Sequence, residues 1–140
     1  MQNKYNAKKY IVDNISFDSG MEAAYYSEVV KPGYESGEIV KYELQKPYEL
    51  QEGFTHEGSY IRPIVYVADF YIEYKDGSSV VVDIKGFADA QAKLKRKMFW
   101  HKYPEIRYIW MVRSLIDGGW CDYEYVKKKR AERKRTKQNK

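Results

Sequence analysis

The alternation of apolar and polar residues along the chain predicts a central sheet. Alternating apolar positions are typical of strands with one buried face, and short continuous apolar runs are typical of strands buried on both faces. Segments of both kinds occur between bends or turns rich in Gly, Pro, Asp and Lys. We predict strands at residues 39–45 with a continuation at 48–51, 61–74, 79–84 and 106–112, and a loop at 52–59.

Helices are predicted before, between and after these strands. Ser19 and Glu22 have the spacing of a capping box, in which each side chain bonds the other residue's backbone, so a helix begins there. Pro32-Gly33 is expected to end it near Val30. We also predict a helix at 88–103 with an inward stripe of Ala90, Leu94, Met98 and His101, and a last helix from about Asp122.

The element order over residues 19–113 is α, β, β, β, α, β, which predicts an α/β domain with a central mixed sheet flanked by helices. A length of 140 residues suits a single domain, at 1–126, followed by a basic tail at 127–140. The longest apolar runs are far below the ~20 residues that cross a bilayer. No secretory signal is visible at the N-terminus. We therefore expect a soluble protein without a membrane partner.

Charge is distributed unevenly along the chain. The net charge is +5, but residues 127–140 hold nine Lys or Arg and one acid, which leaves residues 1–126 with a net charge of −3. A strongly basic terminal segment is typical of nucleic-acid binding, and a solvated terminal helix is the alternative. The single cysteine, Cys121, excludes an intramolecular disulfide and a multi-cysteine zinc cluster.

The turn between the two strongest strands decides which side chains share a face. A two-residue turn at Asp76-Gly77 would send Asp69 and Asp83 to opposite faces. A three-residue loop that begins at Lys75, with Gly77 left-handed, places them opposite each other. Only the second register keeps aspartate out of an entirely apolar face, so we predict it.

In that register two carboxylates and Lys85 share one side of the sheet. Opposed carboxylates repel each other unless a positive charge compensates them. Lys85 can neutralise one of them, and a divalent cation can compensate both. The alternative is a plain ion pair of Lys85 with one aspartate, the other being solvated. Because the charges lie between strongly apolar flanks, we favour a metal site.

These residues resemble the PD-(D/E)xK nuclease superfamily. Its pattern is an acid from an early helix, an Asp late in the second core strand, and Asp/Glu-x-Lys in the third. Glu22, Asp69 and Asp83-Ile84-Lys85 match this pattern, and Ala68 stands where the superfamily's name has proline. The resemblance implies a restriction-endonuclease-like αβββαβ core.

More narrowly, the chain is similar to a family of small phage and prophage proteins assigned to that superfamily. The likeness covers most of the chain and implies a protein of the bacterial host cytoplasm. It is carried by Asn3–Lys9, Phe17–Ser19, Leu44-Gln45, Ile61–Ile64, Tyr66–Phe70, Val82–Phe87 and Lys93–Lys97.

The resemblance implies metal-dependent hydrolysis of phosphodiester bonds. Asp69 and Asp83 would hold Mg²⁺, for which Mn²⁺ would substitute, and the Ile84 carbonyl would be a further ligand. Glu22 would complete the site, bind a second ion or act through a water, although its capping role is a sufficient alternative. Lys85 would orient the attacking water or stabilise the transition state. No organic cofactor is implied.

Basic side chains beyond this site predict contacts with DNA. The implied substrate is branched or duplex DNA, cut by a Holliday-junction resolvase-like homodimer in phage recombination or packaging. A non-catalytic or partner-dependent DNA-binding subunit is the alternative function, and RNA is the alternative substrate. The predicted contacts are Lys93, Arg96, Lys97 and Trp100 on the helix after the hairpin, and Lys127, Lys128, Lys129 and Arg130 in the tail.

Overall fold

The computed structural model describes residues 9–139. The likeness at Asn3–Lys9 lies outside this range, apart from Lys9. The strands are β1 (Tyr10–Val12), β2 (Ile15–Phe17), β3 (Ile39–Gln51), β4 (Phe54–His56), β5 (Ser59–Ile61), β6 (Ile64–Tyr74), β7 (Ser79–Ile84), β8 (Tyr108–Ser114) and β9 (Gly119–Asp122). The helices are α1 (Gly20–Tyr25), α2 (Lys31–Ser36), α3 (Ala90–Lys102) and α4 (Tyr123–Gln138), with a π-helical turn at Tyr26–Val30 and a 3₁₀ turn at Leu115–Asp117.

The central sheet has five strands in the order β3-β6-β7-β8-β9. Strands β7 and β8 are parallel and β8 and β9 are antiparallel, so the sheet is mixed. This confirms the predicted α/β class with a central mixed sheet flanked by helices. The chain forms two compact units: residues up to Tyr42 together with Glu73–Ser78, and Glu43–Ile72 together with the chain from Ser79 onward.

In the first unit, the predicted helix start is confirmed. Ser19 Oγ accepts the Glu22 N–H at 3.1 Å, as an N-cap does. The prediction that the helix ends near Val30 is wrong, because the chain continues through the π-helical turn into α2. Pro32 lies in the first turn of α2, where a missing N–H costs little, and the segment ends at Gly37 with φ +85°.

The predicted loop at 52–59 is also wrong. Strands β4 and β5 form a short antiparallel hairpin there, with Thr55 paired to Tyr60. Glu57 and Gly58 have positive φ values of 46° and 81°, which is the conformation that a two-residue hairpin turn requires. The hairpin therefore depends on its turn residues, which an analysis of apolar periodicity does not detect.

In the second unit, α3 packs on the sheet through an aromatic cluster. Phe99 is fully buried, and its ring lies 4.5 Å from the Tyr108 ring and 5.1 Å from the Tyr48 ring. Of the predicted inward stripe, only Met98 packs against this cluster. The prediction is wrong for Ala90, Leu94 and His101, which are exposed, Leu94 by 59%. Helical spacing limits which residues share a face, but only the partner surface, here rich in aromatic rings, decides which face is buried.

The basic C-terminal segment is a helix that packs on the protein. Asp122 caps α4 by accepting the Glu124 N–H at 2.8 Å, and Val126 is buried. Arg133 donates two hydrogen bonds to the Asp117 carboxylate, at 2.7 and 3.3 Å. The Asp117 side chain is only 5% exposed. A cap, an apolar anchor and a bidentate ion pair therefore hold α4 against β8 and β9.

The ion pair of Asp117 predicts acid sensitivity. The hydrogen bonds from Arg133 and Ser114 hold the pKa of the Asp117 carboxyl below its ordinary value of 3.8. Because the folded-state pKa is lowered, the stabilisation is complete at neutral pH and is lost as the pH falls from about 5 to about 2. The difference in urea midpoint between the wild type and Asp117→Asn should be largest at neutral pH and shrink over this range. A difference independent of pH would contradict this assignment.

Candidate active site

The turn between β6 and β7 has the predicted three-residue form. Tyr74 N–H donates to the Ser78 carbonyl at 2.8 Å, and Gly77 N–H donates to the Tyr74 carbonyl at 3.0 Å. Gly77 has φ +89°, the left-handed conformation that a bulged three-residue hairpin requires. The predicted register is therefore confirmed at the turn.

The alternation of β6 side chains is interrupted near Asp69. Tyr71 packs against the same core cluster as Ala68, although an unbroken strand sends residues three apart to opposite faces. A bulge or a strong local twist produces such a change. Here the Ile84 N–H donates to Asp69 Oδ2 at 2.8 Å. Asp69 thus meets β7 one residue beyond Asp83, which corrects the direct opposition that the turn register predicts.

Gln45, on β3, is a second partner of Asp69. Its side-chain amide lies 3.4 Å from Asp69 Oδ1. Gln45 has a positive φ of 54°, which is uncommon for a residue with a side chain and marks a local bend in β3. A backbone conformation that departs from the regular strand therefore brings this amide to the carboxylate.

Asp83 is buried, Lys85 is half-buried, and the two form an ion pair at the end of β7. Lys85 Nζ lies 2.7 Å from Asp83 Oδ2, and the two side chains are 20% and 5% exposed. The Lys85 N–H donates to the Met111 carbonyl at 2.8 Å, which fixes the backbone of Lys85 against β8. Removing either partner would leave the charge of the other without compensation, so each residue depends on the other for its stability.

Aromatic side chains enclose the pair. In the parallel register Asp83 is level with Trp110. The Lys85 ammonium lies 5.3 Å from the Trp110 ring centre, and Trp110 Nε1 donates to the Tyr108 hydroxyl at 2.7 Å. Burial, followed by the negative charge of Asp83, raises the pKa of Tyr66 well above its usual value. The tyrosine therefore stays protonated, in surroundings that strengthen nearby electrostatic interactions.

The predicted residues are only partly brought together. Asp69, Asp83 and Lys85 lie around the end of β7, within the second unit. Glu22 is half-buried in the first unit, so its role in the site stays a prediction. Within residues 9–139, no group of three or more His, Cys, Asp or Glu side chains is placed to hold a metal. Any cation here would rest on two carboxylates, backbone oxygen and water.

A family model described as "Protein of unknown function (DUF1064)" matches residues 2–118. The chain belongs to the DUF1064 family. No curated protein and no solved structure matches the chain. The matched DUF1064 segment includes the Asp69, Asp83 and Lys85 cluster and ends before α4 begins. Helix α4 therefore lies outside the part of the chain that the family model describes.

The predicted nucleic-acid contacts of this DUF1064 protein differ in accessibility. Lys93, Lys97 and Trp100 are exposed on α3. The Arg96 side chain is only 16% exposed and lies 2.9 Å from the Glu124 carboxylate. Its guanidinium also stacks 3.8 Å from the Trp110 ring centre. Arg96 thus joins α3, α4 and β8, a packing role that the helical spacing did not indicate.

The predicted contacts in the C-terminal segment also differ in exposure. Lys127, Lys128 and Arg130 are exposed, whereas Lys129 is half-buried and lies 3.4 Å from the Glu132 carboxylate. No helix within residues 9–139 is both long and apolar enough to cross a membrane.

Proposed function

We propose that this protein is a metal-dependent DNA endonuclease that hydrolyses phosphodiester bonds. The proposal is carried by the ion pair of the buried Asp83 with the half-buried Lys85, beside Asp69, where β7 ends. Burying charges costs free energy, so a pair placed here needs a reason beyond packing. A half-buried group of carboxylates and a lysine at a strand end is typical of a site that handles a charged substrate.

The donor atoms fit a hard divalent cation. Asp69 and Asp83 offer carboxylate oxygens from neighbouring strands, and Ile84 offers a carbonyl between Asp83 and Lys85. One lysine against two carboxylates leaves a net negative charge for a cation to neutralise. Mg²⁺ and Mn²⁺ accept such oxygen ligands, and Mg²⁺ retains several waters, so two carboxylates are sufficient. When bound, the ion would supply an acidified water and charge stabilisation on the phosphate.

The chain's own residues have separable roles. Lys85 donates a charged hydrogen bond to Asp83, so its ammonium is set to stabilise negative charge on a phosphate rather than to remove a proton. Gln45 and the Ile84 amide orient the Asp69 carboxylate. Glu22 is the third acid of the proposal, as the superfamily resemblance implies.

The substrate that we favour is branched DNA, such as a Holliday junction. Contacts to the phosphate backbone carry no direct sequence information, so they favour recognition of structure over sequence. Cutting two strands requires two active sites, which implies a homodimer. We place the reaction in the bacterial host cytoplasm, during phage recombination or packaging.

Cleavage of end-labelled DNA tests this function. Duplex, single-stranded, flap and four-way junction substrates should be compared with Mg²⁺, Mn²⁺ or EDTA. We expect cleavage with either metal, none in EDTA, and a loss of about 100-fold in Lys85→Ala, because one charge-stabilising donor is typically worth that much. Lys102→Ala, at an exposed lysine on α3, is the matched control and should retain activity. Equal activity of Lys85→Ala and the control would contradict the role of Lys85.

A non-catalytic or partner-dependent DNA-binding subunit is the second candidate. It is favoured by the hydrogen bonds on both Asp69 oxygens and by the absence of a three-acid group within residues 9–139. This candidate predicts DNA binding without cleavage of any substrate with either metal.

A further inference from the structure

The two sides of α4 differ in how their charges are compensated. On the side that faces the protein, Val126 is buried and Arg133 is paired with the nearly buried Asp117. Lys129 is paired with Glu132, the only acid between residues 127 and 139. These contacts hold the helix in place and compensate the charges of Lys129 and Arg133.

The outer face of α4 is defined here as Lys127, Lys128, Lys134 and Arg135. All four side chains are exposed, and none forms an ion pair with another residue of the described range 9–139. Residues seven apart lie on nearly the same side of a helix, at a rise of 1.5 Å per residue. The two pairs therefore stand about 10 Å apart along the axis.

We propose that the outer face of α4 binds the phosphate backbone of duplex nucleic acid. A single strand of B-DNA advances 3.4 Å per phosphate, so the two cation pairs span about three phosphates. A helix held by its cap, Val126 and Asp117 presents these charges at fixed positions, which lowers the entropy lost on binding. The proposal does not depend on cleavage or on a metal.

The composition of α4 disfavours a membrane surface as the partner. A helix that lies in a membrane interface needs a broad apolar face opposite its cations. From residue 127 to residue 138 the only apolar side chain is Ala131, and Val126 is already buried in the protein. A helix surface with many cations and almost no apolar side chains suits a phosphate backbone, which offers negative charge and requires no apolar insertion.

The test is equilibrium binding of a fluorescent DNA duplex in EDTA over a series of KCl concentrations. The variant Lys134→Gln/Arg135→Gln removes two outer-face cations. The matched control Arg62→Gln/Arg107→Gln removes two exposed cations elsewhere in the second unit. We expect the slope of log K against log salt to fall by about 1.8 in the first variant, at about 0.9 per contact, and to stay unchanged in the control.

Other outcomes separate this proposal from competing ones. Equal weakening in both variants would reveal a general net-charge effect and overturn it. Unchanged DNA binding with weaker binding of polyglutamate would overturn it in favour of an acidic protein partner. Glutamine is a good helix former, so both variants should keep the wild-type circular dichroism. Loss of binding in the first variant, in a protein that cleaves nothing with Mg²⁺, would support this surface while contradicting the nuclease.

Discussion

Asp83→Asn is expected to lower metal-dependent DNA cleavage about a thousandfold or more, which corresponds to a barrier increase of about 4 kcal/mol. Asparagine keeps the shape of the side chain but removes the negative charge that would hold both a cation and the Lys85 ammonium. Single-turnover cleavage of the best substrate is the measurement. DNA binding in EDTA should change little, because α4 and the exposed lysines are untouched.

Asp89→Asn is the matched control for this prediction. Asp89 is exposed and caps α3 by accepting the Ala92 N–H at 2.8 Å, a role that asparagine fills equally well. The control lies six residues from Asp83 and should retain cleavage. If both variants lost activity equally, the loss would reflect the stability of this region rather than the chemistry of Asp83.

Phe99→Ala is expected to reduce the free energy of unfolding by about 3–5 kcal/mol, the usual cost of deleting a buried phenylalanine ring. Phe99 is fully buried and its ring contacts the rings of Tyr48, Tyr66, Tyr103 and Tyr108. The remaining rings cannot close the space without leaving their own packing positions. Urea unfolding followed by circular dichroism measures the change.

Leu94→Ala is the comparison that separates the two possible orientations of α3. The spacing of apolar residues predicts that Leu94 faces the core, whereas the structure leaves it 59% exposed. Its replacement should therefore cost less than about 0.5 kcal/mol, as is usual for surface positions. A larger loss for Leu94→Ala than for Phe99→Ala would show that α3 is rotated from the orientation described.

Local chemistry made some parts of the fold predictable. Ser19, Asp89 and Asp122 each cap a helix through a side-chain oxygen, a contact that involves only residues close in sequence. The turn at Gly77 likewise depends on its own residues, since glycine adopts a positive φ without strain. Strand β7 has the predicted bounds, Ser79–Ile84. Such features form from residues that are close in sequence and do not require contacts with distant parts of the chain.

Non-local contacts decided what the sequence could not. Pro32 predicts the end of a helix, yet the helical segment continues through the π-helical turn at Tyr26–Val30 into α2. Arg96 reads as a surface cation, yet Trp110 and Glu124, which follow it by 14 and 28 residues, draw it into the protein. The buried face of α3 depended on the aromatic rings that meet it. These outcomes follow from surfaces that exist only after the elements have assembled.

The candidate site shows the same division. The sequence by itself determined the residue types, the α/β class and the neighbourhood of Asp69 with the Asp83-Ile84-Lys85 segment, because the hairpin that joins them is local. Only the tertiary structure decided that Asp69 accepts the Ile84 N–H and that the buried Asp83 is paired with Lys85. It also decided that Arg133 of α4 is paired with Asp117 while the outer face of the helix stays exposed. Periodicity states which side chains share a face; burial and charge compensation depend on what packs against that face.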